Sequence, residues 1–189
     1  NHENVSVFYL YNKSEFENRE AQNWWISKSL KEFKKKLNNL NINLEIIKVD
    51  SFNIFFDELL KQKNFCLYWN KVYEPKYLDL DKILSEKLKN KKINFKIFKG
   101  NILNEVGEVL KSDGSPFKVF TPFWRVAEKI YHEKIPSNYK KINKNKKKIN
   151  FFKKNINESE ILPKKEWYNK FEKYWSPTEE SALKELKTF

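Results

Sequence analysis

The sequence is poor in the residue types that most often build a reactive site. Its 189 residues include one cysteine, two histidines, three glycines and no methionine. A single cysteine excludes an intrachain disulfide and is typical of a reducing compartment, so we expect a cytoplasmic location. So few glycines argue against a glycine-rich phosphate loop, and histidines as far apart as positions 2 and 132 argue against a histidine triad or metal site. We therefore predict no catalytic residue and no metal ligand in this chain.

Long hydrophobic runs are also missing. No stretch approaches the roughly 18 apolar residues of a membrane span, and no signal-peptide pattern opens the chain. We therefore expect no association with a membrane. Because the chain has no methionine and begins Asn1-His2-Glu3, we also expect it to be part of a longer protein.

What the sequence has in excess is positive charge. There are 38 lysines and arginines against 25 acids, a net charge of +13. Clustered basic residues favour a nucleic-acid partner, because they neutralise phosphates and release counterions. The alternative is a drift in composition, because lysine, asparagine and isoleucine are all abundant. The lysine-rich segment 140–154 is typical of an exposed connector.

Apolar residues alternate between strand-like and helix-like periods. Strands are predicted at 5–11, 44–49, 65–69 and 94–98, and helices at 19–40, 52–62 and 77–89. This alternation with short connections predicts an α/β fold, a Rossmann-like parallel sheet with helices on both faces. The buried stripe of the first helix is predicted to comprise Trp25, Leu30, Phe33, Leu37 and Leu40.

Two further signals divide the rest of the chain. A turn at 114–116 leads into an aromatic stretch, 117–125, and a helix that ends near Tyr131. A last helix is predicted to begin at Pro177, with Ser176 as its N-cap. We therefore expect an α/β domain at 1–131, a connector at 132–175 and the start of a further segment, with one helix, at 176–189.

Parallel sheets bind ligands beyond the carboxyl ends of their strands, which points to the loop 70–75 and the region after Phe98. Asn70 and Glu74 offer an amide and a carboxylate there. The alternative, which the residues by themselves favour, is that these two side chains cap the following turn and helix.

Four segments in order resemble the amino-terminal domain of DNA photolyases and cryptochromes. They are Trp24–Leu30, Tyr68–Pro75, Phe117–Arg125 and Trp175–Leu183, the last with Thr178 where the family has glycine. They cover nearly the whole chain, and their likeness is greatest to class I cyclobutane pyrimidine dimer photolyases. The resemblance implies a parent enzyme, a lyase that uses light to repair pyrimidine dimers in UV-damaged DNA.

The same resemblance implies where the cofactors lie. FAD and the catalytic residues are expected in a carboxyl-terminal helical domain outside this chain, which would be this domain's partner in a monomeric protein. An antenna chromophore of the folate or deazaflavin type is expected in the α/β domain. The alternatives are a cryptochrome, a blue-light photoreceptor without repair activity, and a generic basic nucleotide-binding module.

The expected antenna residues lie in two of these segments: Asn70, Tyr73, Glu74, Trp124 and Glu128. Glu128 falls where one cryptochrome branch has a folate-contacting glutamate, and the alternative for it is an ordinary exposed helix acid. Family members also begin with one more strand, which is central in their sheet. Without it the remaining strands lose a shared neighbour, so we expect the isolated chain to be poorly stable.

Overall fold

The computed structural model of the protein describes residues 4–132, 143–152 and 155–189. They form two compact units, the first comprising Asn1–Phe55 and Lys141–Phe189 and the second comprising Phe56–Lys140. Residues 133–142 and 153–154 of the predicted connector, and His2, lie outside the described residues. In the described part of the chain no helix combines the length and the apolar character needed to cross a membrane.

The first unit is built on two parallel strands and the long helix between them. β1 (Ser6–Asn12) pairs with β2 (Asn43–Val49) over all seven residues of each strand, and α1 (Glu20–Asn39) connects them. Apolar side chains from the strands, from α1 and from the distant Ile161 form one core. α2 (Phe52–Leu59) then carries the chain from the first unit into the second.

The helix α1 buries Leu30 and Leu37 as predicted, but it buries Trp24 rather than Trp25. Trp24 is 4% exposed, whereas Trp25 and Phe33, which we expected in the buried stripe, are 43% and 44% exposed. The buried row of α1 consists of Trp24, Ser27, Leu30 and Leu37. Adjacent tryptophans satisfy a helical period almost equally well, so the correct phase is decided by the packing partners of Trp24.

The chain that follows the lysine-rich segment packs on the first unit. The backbone N–H of Ile156 donates to the carbonyl of Ile46 on β2 at 2.8 Å, and Ile161 is only 2% exposed. Two short 3-10 helices follow, at Glu158–Ile161 and Trp167–Lys170. Within the predicted exposed segment 140–154, most of the described residues are exposed, but Asn145 is buried.

The final helix begins two residues later than predicted. α5 spans Glu179–Thr188, and Thr178 is its N-cap, with its hydroxyl oxygen accepting from the N–H of Ser181 at 3.0 Å. Ser176 was expected in this role. Thr178 takes it because its extended backbone and its hydroxyl together satisfy a free N–H of the first turn.

The second unit repeats the strand–helix–strand pattern with shorter strands. β3 (Leu67–Asn70) pairs in parallel with β4 (Phe95–Phe98), and α3 (Pro75–Asn90) lies between them in sequence. α4 (Phe120–His132) follows after a long irregular segment. The α/β class with parallel strands is confirmed, but in the described residues the strands form two two-stranded sheets, β1–β2 and β3–β4, rather than one.

Candidate functional site

The carboxyl ends of β3 and β4 bring two loops of the second unit into contact. The N–H of Lys71 donates to the carbonyl of Phe98 at 2.9 Å, which extends the strand pairing by one step. A Cβ atom built on Gly100 would lie 2.0 Å from the carbonyl oxygen of Lys71. Only glycine therefore allows this approach, which holds the loop after β4 against the loop after β3.

A hydrogen-bond network joins side chains from both loops. The Tyr73 hydroxyl donates to Oε1 of Glu105 at 2.6 Å and accepts from the N–H of Gly100 at 3.4 Å. The other oxygen of Glu105, Oε2, lies 3.3 Å from Nζ of Lys71. The network fixes Tyr73 in place and directs its hydroxyl toward Glu105.

The electrostatics of this network separate the two titratable groups. Partial burial, and then the hydrogen bond to Glu105, raise the pKa of Tyr73 above its ordinary value. The hydrogen bond from Tyr73, and then Lys71 and Lys99, hold the pKa of Glu105 below its ordinary value. At neutral pH Tyr73 is therefore a neutral donor, and Glu105 is an ionised acceptor.

A second polar contact lies under the strand β3. The indole Nε1 of Trp69 donates to Oδ1 of Asp81 at 2.8 Å, and the Trp69 ring stacks on Phe95 with centroids 5.5 Å apart. The other oxygen of Asp81, Oδ2, is buried without a hydrogen-bond partner among the described residues. Desolvation raises the pKa of Asp81, against the lowering effect of the Trp69 hydrogen bond. The contact ties β3 to α3 directly beside the candidate site.

Three of the five predicted site residues lie together at this edge of the sheet. Asn70 is the last residue of β3 and is exposed, and Tyr73 is half-buried. Glu74 occupies the N-cap position of α3, but its side chain makes no capping hydrogen bond. The expectation that Glu74 caps the helix through its carboxylate is therefore wrong, and the exposed carboxylate is available to a ligand.

The other two predicted residues lie on α4, which has an aromatic surface of its own. Trp124 is 37% exposed and stacks on Phe120, with centroids 6.2 Å apart and planes 11° from parallel. Phe120 is 71% exposed, and Glu128 is also exposed. Ala127 is fully buried, which places it on the packed side of the helix.

Sequence reasoning missed the residues that organise this edge. Glu105 lies in a segment without a helix or strand period, and nothing in the sequence connects it to Tyr73. Asp81 was not predicted as a site residue, because a hydrogen bond from a tryptophan twelve residues earlier has no sequence pattern. Among the described residues, no group of three or more histidine, cysteine or acidic side chains is arranged to hold a metal ion.

A cluster of tryptophans in the first unit was also missed. Trp24 and Trp25 lie 6.0 Å apart between ring centroids, and Trp25 meets Trp175 at 6.1 Å. Phe171 packs against both Trp24 and Trp167. The sequence showed these aromatics in two segments, but not that the segment after 166 returns to α1.

The fold and this edge define a parallel α/β domain with an amide, a carboxylate and a tyrosine where its strands end. Its sequence matches the DNA photolyase family over residues 1–140. The chain therefore belongs to the DNA photolyase family, and its fold agrees with that family's amino-terminal α/β domain.

Individual relatives agree with this assignment. The chain is 28% identical over 185 residues to a deoxyribodipyrimidine photo-lyase of Agrobacterium fabrum, which covers 98% of this chain and 39% of that protein. It is 27% identical over 106 residues to Cryptochrome-2 of Arabidopsis thaliana, covering 56% of this chain and 17% of that protein. The chain thus spans at most about two-fifths of the length of these relatives.

A solved structure resembles the chain throughout. The crystal structure of a bacterial class III photolyase from Agrobacterium tumefaciens superimposes with a TM-score of 0.73 and 26% identity, covering 97% of this chain and 38% of that one. The motifs led us to expect a class I likeness, whereas this structure is of class III. The subclass therefore stays a prediction.

Proposed function

We propose that the whole protein is a deoxyribodipyrimidine photolyase, a carbon–carbon lyase that uses light to repair pyrimidine dimers in DNA. The observation that carries the proposal is the similarity to the Agrobacterium fabrum photo-lyase, which extends over 98% of this chain. In this proposal the α/β domain occupies 1–131, the connector 132–175 and the start of a helical domain 176–189. FAD and the catalytic residues belong to that helical domain, and the protein acts as a cytoplasmic monomer.

The experiment is light-dependent repair by the protein in the longest form that its gene encodes. Purified protein with reduced flavin is mixed with DNA that contains cyclobutane dimers, in blue or near-UV light and in the dark. We expect dimers to disappear only in the light. The alternative is a cryptochrome-type photoreceptor, favoured by the shorter similarity to Cryptochrome-2, and an absence of repair with intact flavin is the result that would support it.

We also propose that the edge formed by Asn70, Tyr73 and Glu74 binds the antenna chromophore, with Trp124 and Glu128 on α4 as further contacts. The chemistry of these side chains fits a folate or deazaflavin. Such rings are flat and carry amide-like donors and acceptors, which suit an exposed amide, a carboxylate without a capping bond and aromatic faces. Tyr73 offers its ring rather than its hydroxyl, because Glu105 already accepts the hydroxyl proton. When bound, an antenna absorbs light and passes the excitation energy to the flavin.

The antenna proposal has its own test, separate from repair. The protein is purified with FAD, and a second chromophore is sought by absorption and mass spectrometry, before and after reconstitution with folate and deazaflavin. We expect a second chromophore at one equivalent or less, with retention reduced by Asn70→Ala and Glu74→Ala. Asp79→Ala, a change at an exposed acid of α3 outside the edge, is the matched control. Absence of any second chromophore after reconstitution would refute the antenna proposal and leave the lyase proposal intact.

A further inference from the structure

The lysine-rich segment after the second unit is fastened to the first unit by its own backbone. We call residues 143–152 the lysine strap. Asn145, in the middle of the basic run, is only 8% exposed. Its backbone N–H donates to the carbonyl of Leu40 at 2.9 Å. Its side-chain amide both donates to the carbonyl of Val5, at 2.7 Å, and accepts from the N–H of Val5, at 3.0 Å. Asn145 therefore binds the backbone at the start of the unit as a neighbouring strand would.

Further contacts hold the strap at both ends. The N–H of Lys147 donates to the side-chain oxygen of Asn4 at 3.2 Å. At the other end, the fully buried carboxylate of Glu45 accepts from the N–H groups of Phe151 at 2.9 Å and Phe152 at 2.8 Å. Phe152 packs its ring against Phe55 with centroids 5.1 Å apart. The path of the strap is thus fixed by groups that are more than 100 residues away in sequence.

The side chains that the strap presents outward are lysines. Lys144, Lys146, Lys147 and Lys148 are all exposed, and the chain has no acidic residue between Glu133 and Glu158. Lys148 reaches the side-chain oxygen of Asn38, near the end of α1, at 2.9 Å. The carboxyl terminus of a helix attracts cations, so the end of α1 attracts the lysines of the strap and does not attract anions.

The lysines of α1 behave differently. Lys28, Lys34, Lys35 and Lys36 each form an ion pair with a glutamate. In the described part of the chain, none of the ion pairs includes Lys144, Lys147 or Lys148. The protein therefore neutralises one set of lysines internally and leaves Lys144, Lys147 and Lys148 of the strap as closely spaced positive charges.

We propose that the lysine strap binds the phosphate backbone of duplex DNA, as a contact surface on the α/β domain itself. Closely spaced, exposed lysines repel one another, and a row of phosphates relieves that repulsion while releasing counterions. Anchoring by Asn145 and Glu45 reduces the conformational entropy that the segment loses on binding. The surface reads no sequence, because it offers charge without groups directed at base edges.

An anionic membrane is the other polyanion that a basic surface attracts, and the structure favours DNA. Membrane-surface segments combine basic residues with apolar side chains that enter the lipid. The apolar residues of the strap point the other way, since Phe152 packs within the unit against Phe8 and Phe55 and Ile149 is half-buried. The outward surface is lysine and asparagine.

The experiment compares two variants with the same change in charge. In the first, Lys144, Lys146, Lys147 and Lys148 are all changed to glutamine. In the control, four exposed lysines of the second unit, Lys61, Lys82, Lys89 and Lys91, are changed to glutamine. Affinity for a short, undamaged DNA duplex is measured in the dark at several salt concentrations, with the protein in the longest form that its gene encodes. Undamaged DNA and darkness make the result independent of the proposed lyase activity.

We expect the strap variant to bind at least about tenfold more weakly at low salt, with a salt slope about 2 to 4 shallower, since each lost phosphate contact removes about 0.9. We expect the control variant to change affinity less than about twofold, because its lysines contact no phosphate. An equal loss in both variants would overturn the proposal, because it would show a general effect of net charge. An unchanged salt slope of DNA affinity in the strap variant would also overturn it. The same holds if the strap variant keeps its DNA affinity and loses binding to phosphatidylserine vesicles.

Discussion

The two units use the same strand–helix–strand pattern and differ in how completely they bury it. In the first, each strand has seven residues, and five of the seven side chains of β2 are buried. In the second, each strand has four residues, one side chain of β3 is buried and none of β4 is. The chain from residue 143 onward packs on the first unit, and the candidate ligand edge lies on the second unit. We expect a ligand site in the less buried unit, because binding loops come from regions of low local stability with few buried contacts.

The packing of the lysine strap on the first unit depends on one buried carboxylate. Glu45 is fully buried and accepts hydrogen bonds from the Ser6 hydroxyl at 2.7 Å and from the N–H groups of Phe151 and Phe152. Two of its three donors belong to the strap, so the strap supplies most of the hydrogen bonds that this buried group needs. The second unit has no equivalent among its described residues, where the acids of the ligand edge are partly exposed.

The largest effect that we predict concerns the unpaired edges of both sheets. Among the described residues β1 and β3 each have a single strand as neighbour. Exposed strand edges leave backbone groups without partners and favour self-association. We therefore expect the 189-residue chain by itself to unfold at a low temperature with weak cooperativity, as measured by scanning calorimetry. A cooperative transition with a high midpoint would show that the two sheets need no further strand.

The next largest effect is expected from Glu45, and it should be limited to the first unit. Changing Glu45→Ala leaves two partly buried N–H groups and a hydroxyl without this acceptor, so we expect a loss of about 3 kcal/mol in the free energy of unfolding. Hydrogen exchange at Phe151 and Phe152 should accelerate, while exchange in β3 and β4 stays unchanged. Glu32→Ala, at a surface ion pair of α1, is the control and should cost less than about 1 kcal/mol. Unchanged exchange at Phe151 would contradict the role given to Glu45.

A smaller effect is expected in the second unit at Gly100. The added methyl group of Gly100→Ala would meet the backbone oxygen of Lys71, which cannot rotate away. We expect a loss of about 2 kcal/mol, because one of the two loops must shift. Gly107→Ala is the matched control: its added methyl has open space, and only the positive φ of 85° is unfavourable. That control should cost about 1 kcal/mol. Equal losses would mean that the loops do not depend on this close approach.

The smallest effect is a dependence of stability on pH at Glu105. Its pKa is lower in the folded protein than its ordinary value of 4.5. Its contribution to stability is therefore fully present above pH 4.5 and is lost as the pH falls through the lower folded value. We expect Glu105→Gln to lower the melting temperature slightly at neutral pH, where this contribution is present, and so to flatten the decline of the melting temperature below pH 4.5. Tyr73→Phe should produce the same flattening in part, and a curve identical to that of the unmodified protein would contradict the network.

The periodicity of the sequence was sufficient to place the regular elements. All four strands and the helices α1 to α3 lie within about two or three residues of their predicted bounds, because local apolar patterns determine them. Leu30 and Leu37 of α1 are buried as predicted, but Trp24 is buried in place of Trp25, since both are apolar and only tertiary packing distinguishes them. The N-cap of α5 was misplaced for a similar reason, because Ser176 and Thr178 both have a hydroxyl that can cap a helix.

Long-range polar contacts were beyond the reach of sequence patterns. Asn145 binds Val5 from a distance of 140 residues, and Glu45 binds Phe151 from 106. In the candidate site, the loop after β3 was found from strand order and composition, since parallel strands present their ligands there. Glu105 was not found, because a partner supplied by an irregular segment leaves no period to detect. Resemblance to a family supplied the antenna expectation that neither pattern nor spacing contains.

The comparison of the units comes down to whether the second one holds a light-harvesting ligand at the ends of its strands. The most direct measurement is an action spectrum of dimer repair for the whole protein and for the double variant Asn70→Ala, Glu74→Ala. We predict that the variant loses the extra repair at wavelengths that the antenna absorbs and keeps the repair driven by direct flavin absorption. An action spectrum that follows a bound second chromophore equally in both proteins would contradict the assignment of this edge.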